Sequence, residues 1–406
     1  NGNNIINVLR DLGQPVTAYD NMFSRQIYTT PGRSFAGKTT DGGVSLQMDY
    51  DMGDMTLTSI TGYRSYASDQ GSDTDYSTVD ILYRAPGGSE RKFKTFSQEL
   101  RLQGEAFDGK LDWLIGGFFA DETLTLTDNL RFGEDYGRFA TCRLVSGIAS
   151  IAPLYNPAAA GCLAARPAAF GAASPLIYAG FDRLDSMNDV GATSDYYKQN
   201  SRNFAVFTHN IFAITDTVDL TLGLRYTNER KKFNATFGND NAVCGLQQAA
   251  LSPLLTTALG PLASGLIGLS CQGNSTAELN NVSISDKRSE SEFTGTAVLS
   301  WKPTDDLLLY SSYSRGYKAG GFNLDRSALK SPIATFASVG GAQNLVGNLQ
   351  FDSELVTAYE IGAKLDLPGF TLSAAVFRQD FENFQLNTFD GSVFIVQTTN
   401  GCSTDL

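Results

Sequence analysis

The sequence lacks any long run of apolar residues, although hydrophobic residues make up 42% of its 406 positions. A transmembrane helix needs about 20 consecutive apolar residues. The most apolar stretch, residues 249–269, is interrupted by Pro253 and Pro261. A helical membrane protein is therefore excluded. A β-barrel is not, because its strands place apolar residues only at every second position.

Histidine and clustered basic residues are also scarce. The sequence has one histidine, His209, and no CxxC pair, so it gives no support for a zinc site. His209 lies in a strand pattern between Phe207 and Ile211, and we expect it to face outward near a membrane interface. We predict no catalytic site, no metal and no cofactor. The formal net charge of −12 argues against a nucleic-acid partner.

Neither end of the sequence shows a targeting signal. The first residues contain no charged segment followed by an apolar one, so no signal peptide is visible. For an exported protein, this pattern leads us to expect that the sequence is a piece of a longer mature chain.

The five cysteines fall in positions that suggest two local disulfides. Cys142 and Cys162 bracket one long loop, and Cys244 and Cys271 bracket another. We predict that each pair closes its own loop, as happens in an oxidising compartment. Cys402 is left over, and its partner is not identified.

Alternating polar and apolar residues predict about eleven strands. In one of them, Val218, Leu220, Leu222 and Leu224 share a face that we expect to touch lipid, with Asp219, Thr221, Gly223 and Arg225 on the other. Tight turns alternate strictly with long loops, and the predicted turns are 51–54, 108–109, 215–217, 303–306 and 367–369. A soluble sandwich would mix short and long connections at both ends. The pattern favours an all-β, antiparallel outer-membrane barrel with short periplasmic turns and long extracellular loops.

Five ordered segments resemble the barrel of TonB-dependent outer-membrane receptors: FSQELRLQG (96–104), LDWLIGGFF (111–119), LTLGLRYTNERK (220–231), LLLYSSYSRGYKAGGFN (307–323) and FDSELVTAYEIGAKLD (351–366). The resemblance covers most of residues 43–400. The family barrel has about 22 strands and encloses an N-terminal plug that carries the TonB-contacting box. Neither the plug nor the terminal strands are recognisable, so residues 1–406 would be a partial barrel domain.

The resemblance implies a receptor in the outer membrane of a Gram-negative bacterium. Such a receptor is surrounded by membrane lipid and imports a scarce nutrient, such as a ferric siderophore, with energy coupled through TonB. A small molecule or a metal chelate would be its substrate. The alternative is a passive outer-membrane channel, or a surface adhesin scaffold, without a plug.

Two groups of polar residues are candidates for a functional surface. Charges are costly on a lipid face and should line the lumen, where they pair with each other or with a plug. This predicted lumenal row comprises Glu99, Arg101, Asp219, Arg225, Glu360 and Lys364. Positive and aromatic residues at the extracellular rim would suit an anionic ferric chelate, and these are Arg315, Tyr317, Lys318, Phe322 and Asn323.

The acidic loop between Asp69 and Asp75 has alternate oxygen ligands reminiscent of calcium loops. It has no closing glutamate at the EF-hand spacing. We interpret this segment as a solvated loop.

Overall fold

A computed structural model describes residues 5–15, 27–164, 168–271, 281–329, 346–389 and 394–399. Its main feature is one antiparallel sheet of ten long strands, counted over these residues, with the order β1-β2-β5-β6-β8-β9-β10-β11-β14-β15. These strands are β1 (Gly37–Asp51), β2 (Met55–Gln70), β5 (Glu90–Ala106), β6 (Leu111–Asp128), β8 (Asp195–Thr215), β9 (Val218–Thr236), β10 (Ser283–Thr304), β11 (Leu307–Lys318), β14 (Glu354–Leu367) and β15 (Phe370–Glu382).

The sheet is an open wall. Within the described ranges, β1 pairs only with β2, and β15 pairs only with β14. Long strands that are neighbours in the sheet are also consecutive along the chain, apart from short strands within the loops. The sheet therefore has an up-and-down arrangement. The strands are far longer than the five or six residues typical of globular sheets.

Shorter strands lie in the loops and beyond the main sheet. Strands β3 (Ser72–Asp73), β4 (Leu82–Arg84) and β7 (Arg131–Phe132) pair in one group, and β12 (Gly321–Phe322) pairs with β13 (Gln350–Phe351). The last strand that the structure describes does not join the wall. Instead, β17 (Phe394–Thr399) forms a separate hairpin with β16 (Phe384–Phe389).

All five predicted tight turns are present, and they lie at one end of the wall. Consecutive long strands are joined there by two to four residues. The turn between β5 and β6 needs a left-handed backbone, with positive φ at Phe107, Asp108 and Gly109. Asp and Gly tolerate this conformation best, which explains why DG marks this turn.

Helices were missed by the sequence analysis. Near the start of the chain lies α1 (Ile5–Asp11). The two loops with cysteine pairs contain α2 (Tyr136–Gly147), α3 (Ser174–Asp185), α4 (Ala242–Leu251) and α5 (Gly260–Ser270). Among the described residues, none of the helices is long and apolar enough to cross a membrane.

The five helices share a hydrophobic core, and we call them the helical cap. Buried side chains from separate loops meet in it, including Val8, Val145, Phe181, Leu251 and Leu266. The helices approach closely at Gly180, where an added Cβ would lie 3.1 Å from a methyl carbon of Leu266. The cap therefore joins two loops that are far apart in sequence into one packed unit.

A second core lies at the long-loop end of the wall, and we call it the rim cluster. Tyr197, Phe233 and Ile284 come from three neighbouring long strands, while Phe322 and Leu349 come from the loop between β11 and β14. This loop therefore folds back against the wall.

Candidate functional site

The strand register brings the six predicted lumenal charges to one face of the wall. Residues paired across antiparallel strands point to the same side. Arg101 is connected to Arg225 through Gly116 and Phe207. Asp219 is connected through Ser300 to Tyr310, which lies in the strand beside Glu360 and Lys364. We call this side the inner face.

Four of the six residues in the row are held by contacts within the wall. Arg101 Nε donates to Glu99 Oε1. Tyr310 donates its hydroxyl proton to Glu360 at 2.5 Å, and the Lys364 ammonium lies 6.0 Å from the same ring. The inner face is therefore a mixed surface in which charges are paired or placed over aromatic rings.

Arg225 has two aromatic neighbours that the sequence analysis did not single out. Its guanidinium lies 5.5 Å from the Phe118 ring centre and 5.4 Å from that of Phe207. Its Nε also donates to Thr227 Oγ1 at 3.1 Å. Aromatic faces attract cations, so these rings stabilise the arginine, which has no carboxylate partner among the described residues.

His209 lies on this inner face, which corrects the expectation that it faces outward. It pairs in register with Leu114 and Gly223. Gly223 lies on the same face of its strand as Thr221 and Arg225, so His209 does too. The neighbours Phe207 and Ile211 misled the sequence analysis because aromatic residues also occupy the inner face.

The predicted rim residues divide between two environments. Arg315 pairs in register with Gly295 and Thr357, on the face that carries Leu224, and its nearest carboxylate is Glu292 at 3.8 Å. Lys318 is exposed. Tyr317 donates to Glu290 Oε1 at 2.6 Å, and the same oxygen accepts the Gly320 backbone N–H at 2.8 Å.

Phe322 and Asn323 are buried at the rim. The Phe322 ring stacks on Phe233 with centres 4.9 Å apart. The Asn323 amide donates to the carbonyls of Leu349 and Val396 and accepts from the Val396 N–H at 2.8 Å. In this structure Phe322 holds the loop to the wall, whereas Asn323 joins the two ends of the loop to each other and to the β16–β17 hairpin. Their predicted contact with a substrate stays a prediction.

A buried ion pair at the same end was not predicted. Arg326 and Asp195 have side chains only 1% exposed, with Arg326 Nε 3.3 Å from Asp195 Oδ2. Arg326 also donates to the carbonyls of Ala192 and Gly238. Burial raises the pKa of Asp195 to about 6, and the charge of Arg326 limits the rise. The arginine ties the loop after β11 to the ends of β8 and β9.

The two predicted disulfides are formed, and they lie in the helical cap. Cys142 is bonded to Cys162, and Cys244 to Cys271. Cys402 lies outside the described residues. Gln247 joins the two cysteine loops, because its amide donates to Gly180 O at 2.7 Å and accepts from Arg183 Nε at 2.8 Å.

The acidic loop uses its carboxylates to hold its own backbone. Asp73 accepts the N–H groups of Asp75 and Tyr76, and Asp75 accepts those of Ser77 and Leu82. This arrangement corrects the interpretation of a merely solvated loop. Over the described ranges, no group of three or more His, Cys, Asp or Glu side chains is placed to hold a metal ion.

Comparison with known proteins agrees with this geometry. A family model described as TonB dependent receptor-like, beta-barrel, matches residues 2–401. No curated protein sequence gives a significant match.

Two solved structures share the fold. The ferric yersiniabactin uptake receptor FyuA from Yersinia pestis is 13% identical, with a TM-score of 0.54, over 92% of this chain and 40% of that one. The closed form of the ferric-catecholate import receptor Fiu from Escherichia coli K12 is 14% identical, with a TM-score of 0.52, over 94% of this chain and 46% of that one. The chain thus spans less than half the length of either structure.

Proposed function

Because this chain belongs to the family of TonB-dependent receptor-like β-barrels, we propose that it forms part of the wall of an outer-membrane receptor that imports a scarce nutrient. The observation that carries the proposal is the match of the family model to nearly the whole chain. The open wall of long antiparallel strands supports it. So does an inner face on which charges and aromatic rings alternate.

We propose a ferric siderophore or a similar metal chelate as the substrate. Two similar solved structures with TM-scores above 0.5 are a ferric yersiniabactin uptake receptor and a ferric-catecholate import receptor. At the rim, Tyr317 and Lys318 would contact an anionic chelate, whereas Arg315 lies on the outer face with Leu224 and would not. Phe322 and Asn323 would shape the rim from within the rim cluster.

Energy coupling would act through a plug that contacts the inner face. The charges and rings around Arg225 would bind such a plug through ion pairs and cation–π contacts. Movement of the plug, driven from the inner membrane through TonB, would then release the substrate inward. A passive channel or an adhesin scaffold would need neither the plug nor TonB.

Uptake measurements separate these functions. In the host bacterium, deletion of the gene should abolish uptake of its radiolabelled ferric chelate, and deletion of tonB should do the same. Membrane fractionation should place the protein in the outer membrane. Uptake that persists without TonB, together with ion conductance in planar bilayers, would instead establish the passive channel.

A further inference from the structure

The outer face of the wall changes composition toward the long-loop end. Its middle carries exposed aliphatic and aromatic side chains, such as Leu100, Val206 and Leu224. The next residues along the strands are aromatic, including Phe96, Phe119 and Phe204. Beyond them lies a group of cations that we call the outer cation patch: Lys94, Lys198, Arg202, Arg230, Lys232 and Lys287.

Charge is segregated between the two faces of this end of the wall. The inner face carries Glu229 and Glu290, which pair with Lys231 and Arg288. On the outer face, the single acid in register with the patch is Asp121, which binds Arg202 at 2.6 Å. No other member of the patch forms an ion pair with a described residue. A chain of net charge −12 thus concentrates unpaired cations on one outward surface.

The patch places like charges directly opposite each other. Arg202 is the register partner of Arg230, and Lys232 is the partner of Lys287. Cross-strand pairs of like charge are destabilising. Arg202, Arg230 and Lys232 also line a cleft of about 390 Å³ together with Asn200 and Asp121. An anion in this cleft would relieve the repulsion.

We propose that the outer cation patch binds the phosphorylated headgroup of a membrane lipid, a proposal that rests on the outer-membrane location proposed above. Arginine pairs bidentately with phosphate, and lysine adds a point charge. We favour a lipid over a soluble phosphate because the outer face beside the cleft carries first aromatic side chains, such as Phe119 and Phe204, and then aliphatic ones. This order of side chains matches a headgroup, an interface and an acyl chain.

Lipid titration of the purified receptor, followed by native mass spectrometry, tests this proposal. The probes are bisphosphorylated lipid A, phosphatidylethanolamine and soluble pyrophosphate. The test variant is Arg202→Gln/Arg230→Gln/Lys232→Gln. The control Lys38→Gln/Lys110→Gln/Lys302→Gln removes three exposed lysines elsewhere. We expect the test variant to bind lipid A roughly a hundredfold more weakly, and the control to bind it as the unaltered protein does.

Two results would overturn the proposal. One is equal lipid A affinity in the test variant and the unaltered protein. The other is the finding that pyrophosphate binds as tightly as lipid A and displaces it. The cleft would then be a site for a soluble anion. If the triple variant does not fold, Lys232→Gln alone should weaken lipid A binding about fivefold.

The location of the protein is tested independently. Absence of the unaltered protein from the membrane fraction would refute the proposed function. A membrane-inserted, transport-competent protein without lipid selectivity would refute this inference alone.

Discussion

At the scale of single residues, burial decides how Arg326 and Asp195 act. Both side chains are shielded from water, and each has further partners in the rim. Removing one member of a buried pair leaves a charge without compensation, which costs about 3–5 kcal/mol, whereas removing both can be nearly neutral. Substitution of one residue of the pair should therefore destabilise the protein more than substitution of both.

We predict that Arg326→Leu lowers the free energy of unfolding by about 3–5 kcal/mol and that Arg326→Leu/Asp195→Leu restores most of it. Urea titration, read by protease sensitivity of the loop after β11, measures both variants. Equal losses in the single and double variants would contradict the prediction.

Asp195 should also give the protein a specific pH dependence. Its folded pKa of about 6 lies above the ordinary value of 3.8 because it is buried. Between these values the folded state holds more protons than the unfolded state, so this stabilising contribution is full below about pH 4 and is lost as the pH rises to about 6. The difference between the unaltered protein and Asp195→Asn should show this slope in that window. A difference that does not vary with pH would argue against it.

Alternation on one strand leads to a third residue-scale prediction. Leu222 is 40% exposed on the outer face, whereas Thr221 points to the inner face with Ile211 and Val298. Leu222→Arg should cost about 2–4 kcal/mol in bilayers because it places a charge in the apolar band, and Thr221→Arg should cost much less. Folding into lipid vesicles, titrated with urea, compares the two. Equal costs would mean that the outer face does not contact lipid.

At the scale of elements, the disulfides should stabilise the helical cap and leave the wall unaffected. The Cys244–Cys271 bond closes a loop with a sequence separation of 27. Constraint of the unfolded loop should contribute about 3–4 kcal/mol. Cys244→Ser/Cys271→Ser should therefore increase proteolysis within residues 237–282 while the strand content, seen by circular dichroism, is unchanged.

Mapping of non-reduced peptides provides the control for that experiment. The unaltered protein should give the two local bonds, and the variant should keep Cys142–Cys162. A cross-pair such as Cys142–Cys244 in the unaltered protein would show that the two loops are connected differently.

Strands and turns could be predicted because their signals are local. Alternation with a period of two assigns every residue of a strand to a face once one residue is placed. This is why the six charges predicted to be lumenal lie on one face of the wall. The same rule failed for His209 because aromatic residues occupy both faces of this wall. Arg315 shows a related limit of sequence-based prediction. The residues around it do not indicate its face, which becomes clear only from its pairing with Gly295.

The helical cap could not be predicted from alternation because its helices are short and rich in Ala, Gly and Ser. Their weak apolar periodicity resembles loop composition. One signal was available: Pro261 lies in the first turn of α5, a position that favours proline. In the sequence alone, the same proline also interrupts an apolar run and so does not by itself indicate a helix. The packing of α3 against α4 and α5 is tertiary, and no local pattern encodes it.

At the scale of the whole molecule, the open edges of the wall require hydrogen-bonding partners. Strands β1 and β15 each have one unpaired side over the described ranges. In hydrocarbon each unsatisfied backbone group costs several kcal/mol, so an open sheet is unstable there. We propose that both edges are paired by further strands in the working receptor. The 40% and 46% coverage of the two related structures is consistent with this proposal.

We predict that the 406-residue polypeptide, expressed alone, does not form a monomeric barrel in lipid vesicles. Folded outer-membrane barrels of this kind migrate differently in gels before and after heating, and this polypeptide should show no such shift. The double variant Val44→Cys/Val376→Cys, with one thiol in β1 and one in β15, tests closure directly, because strands paired edge to edge lie about 5 Å apart. A heat-dependent shift together with an efficient disulfide crosslink between positions 44 and 376 would show that these strands close on themselves, and the receptor proposal would then lose its physical basis.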